Sequence, residues 1–364
     1  MESAFDIVIV GAGMAGASLA AAIGARATVL VIEAEERPGY HATGRSAAFW
    51  TESYGGPGVQ PLTTASGPVL RDLGVLTPRG ALTLGRAGQE REVEAFAQAY
   101  RAAGVEMQVL DRAGIAARVP ALREGWTCGA LEPSTCDIDV ARLHQHYLAQ
   151  ARRAGAELWC RAGLSAPRRV ADGWMLALAD GRQVKARILV DAAGAWADGV
   201  ARLAGIAPLG ITPYRRTIAQ LAVEAEVPDD LPLVLDIAES FYFKPESGRL
   251  WLSPHDETLS QPCDAAAEEI DVALAIDRFE QVVGWPVGRV EYRWAGLRSF
   301  APDRLPVYGF APQDRAFFWF AGQGGFGIQT APAAADLGAR LLLGEGPGTV
   351  DPAPFAPGRF CKEV

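Results

Sequence analysis

Long apolar runs are missing: nowhere in the 364 residues is there a stretch near the ~18 consecutive apolar positions that a membrane span needs. Excess basic charge is missing as well. The net charge of −9 and the pI near 5.1 exclude the basic face with which nucleic-acid binders meet phosphates. Cysteine is sparse, and Cys128, Cys136, Cys160, Cys263 and Cys361 are odd in number, scattered and free of any CxxC pair. That excludes a disulfide framework and a cysteine zinc site, and no other metal-ligand set stands out. The opening MESAFDIVIVGAG carries acidic Glu2 and Asp6 where an export signal would carry basic charge and a cleavable apolar region. A reduced, cytoplasmic, soluble protein is therefore expected. There is no fixed-period repeat and no low-complexity segment.

What is present is apolar: 49% of residues are hydrophobic, enough at this length for two domains, since single cores stop growing near ~250–300 residues. FDIVIV (5–10) is a continuous apolar run that stops at glycine, which predicts a strand buried on both faces. MAGASLAAAIGA predicts a helix packed close to a sheet, and ATVLVIE (27–33) a second buried strand. Together they form a βαβ opening of about 30 residues. Helices are predicted over 91–104 and 139–155, the second with Asp137 or Asp139 as N-cap. DGW (172–174) and DGR (180–182) mark hairpin turns. ARILVDAAGAW (186–196) and AFFWFAGQGG (316–325) repeat the strand-then-glycine pattern, so one sheet can collect the glycine-rich ends at 11, 194 and 322. From 211 to 300 antiparallel strands are expected, with one helix near 265–280. The proline-rich GPGTVDPAPFAPGRF reads as a surface tail.

Gly11, Gly13 and Gly16 form GxGxxG between strand and helix. The first allows a tight turn, the second lets backbone approach a pyrophosphate, and the third lets the helix sit close to the strand. Glu33 follows about 20 residues later, where a carboxylate meets a ribose hydroxyl. Alone, such a triplet is often only a glycine-rich turn; with strand, helix and acid in place it reads as a dinucleotide site, and the acid argues against a 2′-phosphate. HATGRSAAFW (41–50) then acquires a meaning. Arg45 and Ser46, opening a new helix after flexible Gly44, would add donors to the pyrophosphate. Taken alone, Arg45 would be a solvated surface charge.

The βαβ opening, Glu33, TGRSAA, LVDAAGAW and GQGGFGIQTAPAAADL resemble the D-amino-acid oxidase superfamily of FAD enzymes over almost the whole chain. PGYHATGRSAA, ESFYFKP, WAGLRSF and GQGGFGIQT are similar to segments of the bacterial D-amino-acid and D-arginine dehydrogenases. The resemblance implies an α/β, glutathione-reductase-like Rossmann domain from 1–50, 145–210 and 301–364. It also implies an α+β substrate domain with an antiparallel sheet from 51–144 and 211–300. Gly11, Gly13, Met14, Ala15, Gly16, Glu33, Ala34, Thr43, Gly44, Arg45, Ser46, Ala48, Val170 and Gly194 would line a non-covalent FAD. Gly324, Gly325, Gly327, Ile328 and Gln329 would bring a helix N-terminus to the flavin, whose reduced form is anionic at that edge. Arg298 and Tyr242 would hold a substrate carboxylate, with Arg215 as a second cation. Gly325 carbonyls would accept from the amine, and Thr51 and Tyr54 would lie in a mobile loop over the pocket.

The D-arginine enzymes carry a histidine where Phe49 stands and an acid near Ala81, and both positions here are apolar. An apolar or uncharged D-amino acid is therefore expected, unless Glu52 supplies the missing acid. The reaction expected is hydride transfer to FAD without an obligatory base, followed by hydrolysis to a 2-oxo acid and ammonia. The electron acceptor (quinone, oxygen or protein) is open. Oxidation of sarcosine, glycine-like amines or a 2-hydroxy acid stands as the alternative, the last with His255 as a possible base. A non-catalytic flavoprotein and a plain NAD dehydrogenase explain the motifs less well.

Overall fold

The computed structural model describes residues 3–346 and 348–361; Glu2 and Pro347 lie outside them. The first run forms a strand at Ser3–Val10, parallel to Val29–Ile32 on one side and to Gln183–Asp191 on the other. Glu157–Trp159 extends the parallel row beyond Val29–Ile32, and Asp314–Ala321 extends it beyond Asp191. Two antiparallel hairpin strands, Leu164–Val170 and Gly173–Leu178, and an edge strand, Val307–Ala311, complete eight. Alternation along the strands explains the uninterrupted apolar runs. Ile7, Ile9, Val29 and Val31 meet the core containing helices Met14–Ile23, Val140–Arg153 and Ala331–Leu343. Val8, Val10, Leu30 and Ile32 face the other core, which holds Trp174, Phe317 and helix Ala197–Leu203.

Gly16 decides how close the first helix sits: a Cβ there would collide with the carbonyl oxygen of Gly11. Gly11 itself has φ +102°, a left-handed turn that brings the chain off the strand end. The strand ends before Gly11, Ala192 and Gly322 gather at the carboxyl edge of one sheet, where open α/β sheets place their ligands. Asp139 caps its helix, accepting from the Arg142 amide at 2.9 Å.

A ten-stranded second sheet stands over that edge. Its central strands are Val287–Phe300, Thr212–Val223, Arg249–Ser253 and Tyr242–Glu246, all antiparallel. Helix Glu269–Glu280 covers one face, with Val272, Ala275 and Phe279 buried against Phe243 and Leu252.

Two expectations fail. Arg45 and Ser46 open no helix: Thr43–Arg45 is a single 3₁₀ turn, and Ser46 is extended. The chain continues as strand Phe49–Trp50, paired with Cys136–Ile138, because Trp50 is buried and its indole N–H donates to the Thr63 carbonyl at 2.9 Å. The proline-rich end is no loose tail either. Phe355 is buried against Tyr308, and Arg359 pairs with Asp303 at 2.6 Å. Among the described residues no helix is long and apolar enough to cross a membrane.

Candidate active site

A cavity of about 620 Å³ runs from the glycine turn at 11–15 to the second sheet at 296–299, a size typical of ligand sites. Gly11, Gly13, Met14, Ala15, Glu33, Ala34, Thr43 and Gly194 form its wall at one end, and Gly324, Gly325, Gly327 and Ile328 at the other. Glu33 is fixed before any ligand arrives: its carboxylate accepts from the Ala12 amide at 2.8 Å and the Glu35 amide at 3.0 Å. Thr43 supports the helix start, its hydroxyl accepting from the Met14 amide at 2.9 Å. His144 braces the turn from behind, donating to the Ala12 carbonyl at 2.9 Å; burial lowers its pKa and favours the neutral ring.

Some expected wall residues lie elsewhere. Gly16 and Gly44 set backbone approach instead of lining the cavity, Gly44 lying against the Gly39 carbonyl. Ala48 is also off the wall; its amide donates to Ser46 Oγ at 3.1 Å. Val170 sits at the far tip of its hairpin, and Gly163 and Leu164, at the other end of the same strand, line the cavity. Gln329 faces the 51–63 segment: its carbonyl accepts from the Thr51 amide at 3.3 Å, and its NH₂ donates to the Tyr54 carbonyl and Thr63 Oγ1. Arg45 reaches the wall, but its guanidinium is committed to Asp264, to the Ala265 carbonyl at 2.7 Å and to the Ala295 carbonyl at 3.2 Å. It ties the 264–265 segment down and is not free to clamp a pyrophosphate.

On the other side stands Arg298. It pairs across the sheet with Tyr214, and its Nε is buried without a hydrogen-bond partner, as is the hydroxyl of Tyr242. Burial works against the Arg298 charge, but the oxygens of Tyr54, Tyr242 and Asp256 outweigh it and hold its pKa above the ordinary value. Gly325 makes room for both neighbours: a Cβ there would lie 2.6 Å from the Tyr54 hydroxyl and 3.0 Å from Arg298 Nε. Phe49, Tyr54, Tyr242 and His255 form a chain of ring contacts beside them, with centroids 5.4–6.4 Å apart. Ala81 is buried in the same apolar cluster as Phe49 and Tyr242.

Arg215 is not the second cation. Strand alternation turns it to the opposite face, where Glu268 and Asp271 pair with it. Its neighbour Arg216 shares a face with Tyr214 and, through the register, with Arg298. Arg216 is buried, donates to the Asp256 carbonyl at 2.6 Å and leaves Nη1 unpartnered. The dipeptide Arg215–Arg216 signalled a cation, but only the register selects between them.

The loop expected to be mobile is fastened at its base. The buried Glu132 carboxylate accepts from the Glu52 amide at 2.7 Å and from the amide and hydroxyl of Ser53. Glu52 is engaged with Thr64 and Ser134 and supplies no acid to the pocket. Thr51 is buried too, next to Gln329. Removing the Glu132 carboxylate leaves two half-buried amides without their acceptor, a cost of up to about 1–3 kcal/mol each. Glu132→Ala is therefore expected to lower the Tm of the holoprotein by several degrees and to raise KM more than it lowers kcat. An unchanged Tm and KM would show that the loop does not depend on this anchor.

The DAO family of FAD dependent oxidoreductases matches residues 6–341. The chain belongs to that family, and its cofactor is FAD. The chain is 26% identical over 266 residues to the hydrogen cyanide synthase subunit HcnC of Pseudomonas aeruginosa, covering 71% of this chain and 61% of that one. To the glycine oxidase of the same organism it is 27% identical over 229 residues, 60% of each. The matches thus span about 60% of these relatives' length. The crystal structure of glycine oxidase from Geobacillus kaustophilus superposes with a TM-score of 0.86 at 23% identity, covering 100% of both chains. The residues present fit FAD: a glycine cradle, a pre-fixed carboxylate at Glu33 and an elongated cavity end at the same wall.

Proposed function

We propose that the protein oxidises the carbon between the carboxylate and the nitrogen of a small amino acid, D-configured where it is chiral, with an apolar or uncharged side chain. The observation that carries this reading is a pair of unpartnered buried atoms: Arg298 Nε, on the cavity wall with Gly324 and Gly325, and the hydroxyl of its neighbour Tyr242, which lies off that wall. Buried polar groups are normally paired, so two orphans side by side point to an absent acceptor. A carboxylate suits a guanidinium fork with a phenol beside it.

In this reading Gly13, Ala15, Glu33 and Thr43 hold the adenosine and phosphate end of FAD, and Gly324, Gly325 and Ile328 the flavin end. FAD held there would supply a two-electron acceptor for the α-hydrogen, taken as hydride. The chain's own work is positioning. Arg298 and Tyr242 fix the carboxylate and thereby the α-carbon. The Arg298 charge favours a substrate amine without its proton, which is the form that can release hydride; Arg216 and Arg304 are both paired with Glu257, at 3.2 and 2.7 Å. Tyr54 and the anchored loop keep water away until the imino acid leaves and hydrolyses.

Glycine or sarcosine forms a second reading, favoured by the close packing of the Phe49, Tyr54 and Tyr242 rings beside Arg298, which suits a substrate with little or no side chain. The relatives named glycine oxidase accord with it, and the D-amino-acid dehydrogenase likeness of PGYHATGRSAA and WAGLRSF accords with the first. A 2-hydroxy acid is disfavoured, because burial, with the nearby Arg216, pushes the His255 pKa down to about 3, too weak a base for a hydroxyl.

Dye-linked turnover of the holoprotein with paired D- and L-amino acids, glycine, sarcosine and 2-hydroxy acids tests this. Small D-amino acids are expected to have the highest kcat/KM. Turnover of glycine and sarcosine alone selects the second reading, and turnover of only D-arginine and D-lysine would overturn both. FAD is taken to be non-covalent, since among the described residues no cysteine lines the cavity; acid precipitation should leave the flavin in the supernatant.

A further inference from the structure

The following rests on the reading that Arg298 takes a substrate carboxylate. His255 lies beside that position, its ring 5.7 Å from Tyr242 and 6.4 Å from Tyr54. Its Nδ1 is 2.6 Å from the Glu239 carbonyl. A carbonyl only accepts, so Nδ1 carries the hydrogen and Nε2 carries the lone pair. That Nε2 is buried with no partner. The backbone holds it there at φ +53°, with the His255 amide donating to Ser253 Oγ at 3.1 Å. This left-handed conformation is uncommon outside glycine, although histidine tolerates it better than most residues.

Three buried atoms without a partner thus lie on neighbouring side chains: Arg298 Nε, which donates, the Tyr242 hydroxyl, which can donate, and His255 Nε2, which accepts. A bare carboxylate satisfies the donors and leaves the acceptor empty. We infer that His255 Nε2 accepts a hydrogen bond from the substrate nitrogen, so that the site selects carboxylates bearing an N–H donor on the adjacent carbon. Burial, with the charges of Arg216, Arg298 and Arg304, keeps the ring neutral and its lone pair available across the working pH range; the Glu239 carbonyl opposes them only in part. An amine that donates one N–H to Nε2 keeps its own lone pair free to assist loss of the α-hydrogen. His255 acts here as a fixed acceptor and takes up no proton.

The test uses two flat, isosteric carboxylates, pyrrole-2-carboxylate, which has the N–H, and 2-furoate, which lacks it. Their Kd values are read from the perturbation of the bound flavin spectrum in the holoprotein. Wild type is expected to prefer pyrrole-2-carboxylate by up to about tenfold, the worth of one such hydrogen bond. His255→Phe should abolish that preference while 2-furoate binds within about twofold of wild type, and His255→Gln, which keeps an acceptor, should restore part of it. Equal affinity of wild type for the two ligands overturns the inference without needing a variant. So does a preference that survives His255→Phe. If 2-furoate binds, and Arg298→Leu abolishes that binding, the carboxylate reading stands whatever His255 does. If neither ligand perturbs the wild-type flavin, the carboxylate reading falls and the inference falls with it.

Discussion

Arg298→Leu is expected to lower kcat/KM for the best substrate by between about 30-fold and several thousand-fold. Truncating one partner of a buried, hydrogen-bonded charge pair costs roughly 2–5 kcal/mol, and each 1.36 kcal/mol is tenfold. Among the described residues Arg298 has no carboxylate ion-pair partner, and its Nε is unpartnered. The loss should therefore fall on substrate binding and orientation, with the FAD content and visible spectrum unchanged. Arg298→Lys keeps the charge but loses the two-point fork, and should recover only part of the loss. Steady-state kinetics with flavin quantitation checks this. A variant with full FAD and kcat/KM within threefold of wild type would show that the carboxylate is held elsewhere.

Gly16→Ala should have the largest effect on the molecule itself. The added Cβ would overlap the Gly11 carbonyl oxygen and lie 3.2 Å from Ile9 Cγ2. Gly11 cannot yield, because its amide donates to the Ile32 carbonyl at 2.8 Å, and the strand it ends is central in the sheet. Relief requires the helix Met14–Ile23 to move off the sheet, against the buried contacts of Ala17, Leu19 and Ala20. Overpacking of this kind costs about 1–3 kcal/mol, and more where backbone is struck. The expected product is colourless or insoluble. Gly13→Ala supplies the contrast: its Cβ would meet only Thr43 Oγ1, at 3.2 Å. That variant should fold and bind FAD more weakly. Normal FAD content in Gly16→Ala would remove the close helix–sheet approach from the account.

The strand–glycine–helix segments were legible because their signals are local. FDIVIV carries its burial in its composition, and the GxGxxG turn carries its geometry in the glycines. Arg298 and Tyr242 are singled out in the sequence only through likeness to a family, since neither has a local signature. What remained hidden depends on contacts distant in sequence. The 43–50 segment becomes a turn and a strand because Phe49–Trp50 finds Cys136–Ile138 almost ninety residues later. Arg216 rather than Arg215 faces Arg298 because the pairing of Tyr214 with Arg298 sets the register, and a single-residue slip would reverse the choice. Glu132 and Gln329 fasten the loop at 51–54 from opposite sides, and nothing in SYGGPG announces either anchor.

The account's central claim is that the FAD of this chain takes two electrons from an amino acid held at Arg298. Anaerobic mixing of the purified holoprotein with a small D-amino acid tests it directly, by following the flavin absorbance and quantifying products after a single turnover. The account predicts complete bleaching, with one 2-oxo acid and one ammonia released per flavin reduced. A flavin that stays oxidised with every amino acid, glycine and sarcosine in the panel would contradict it.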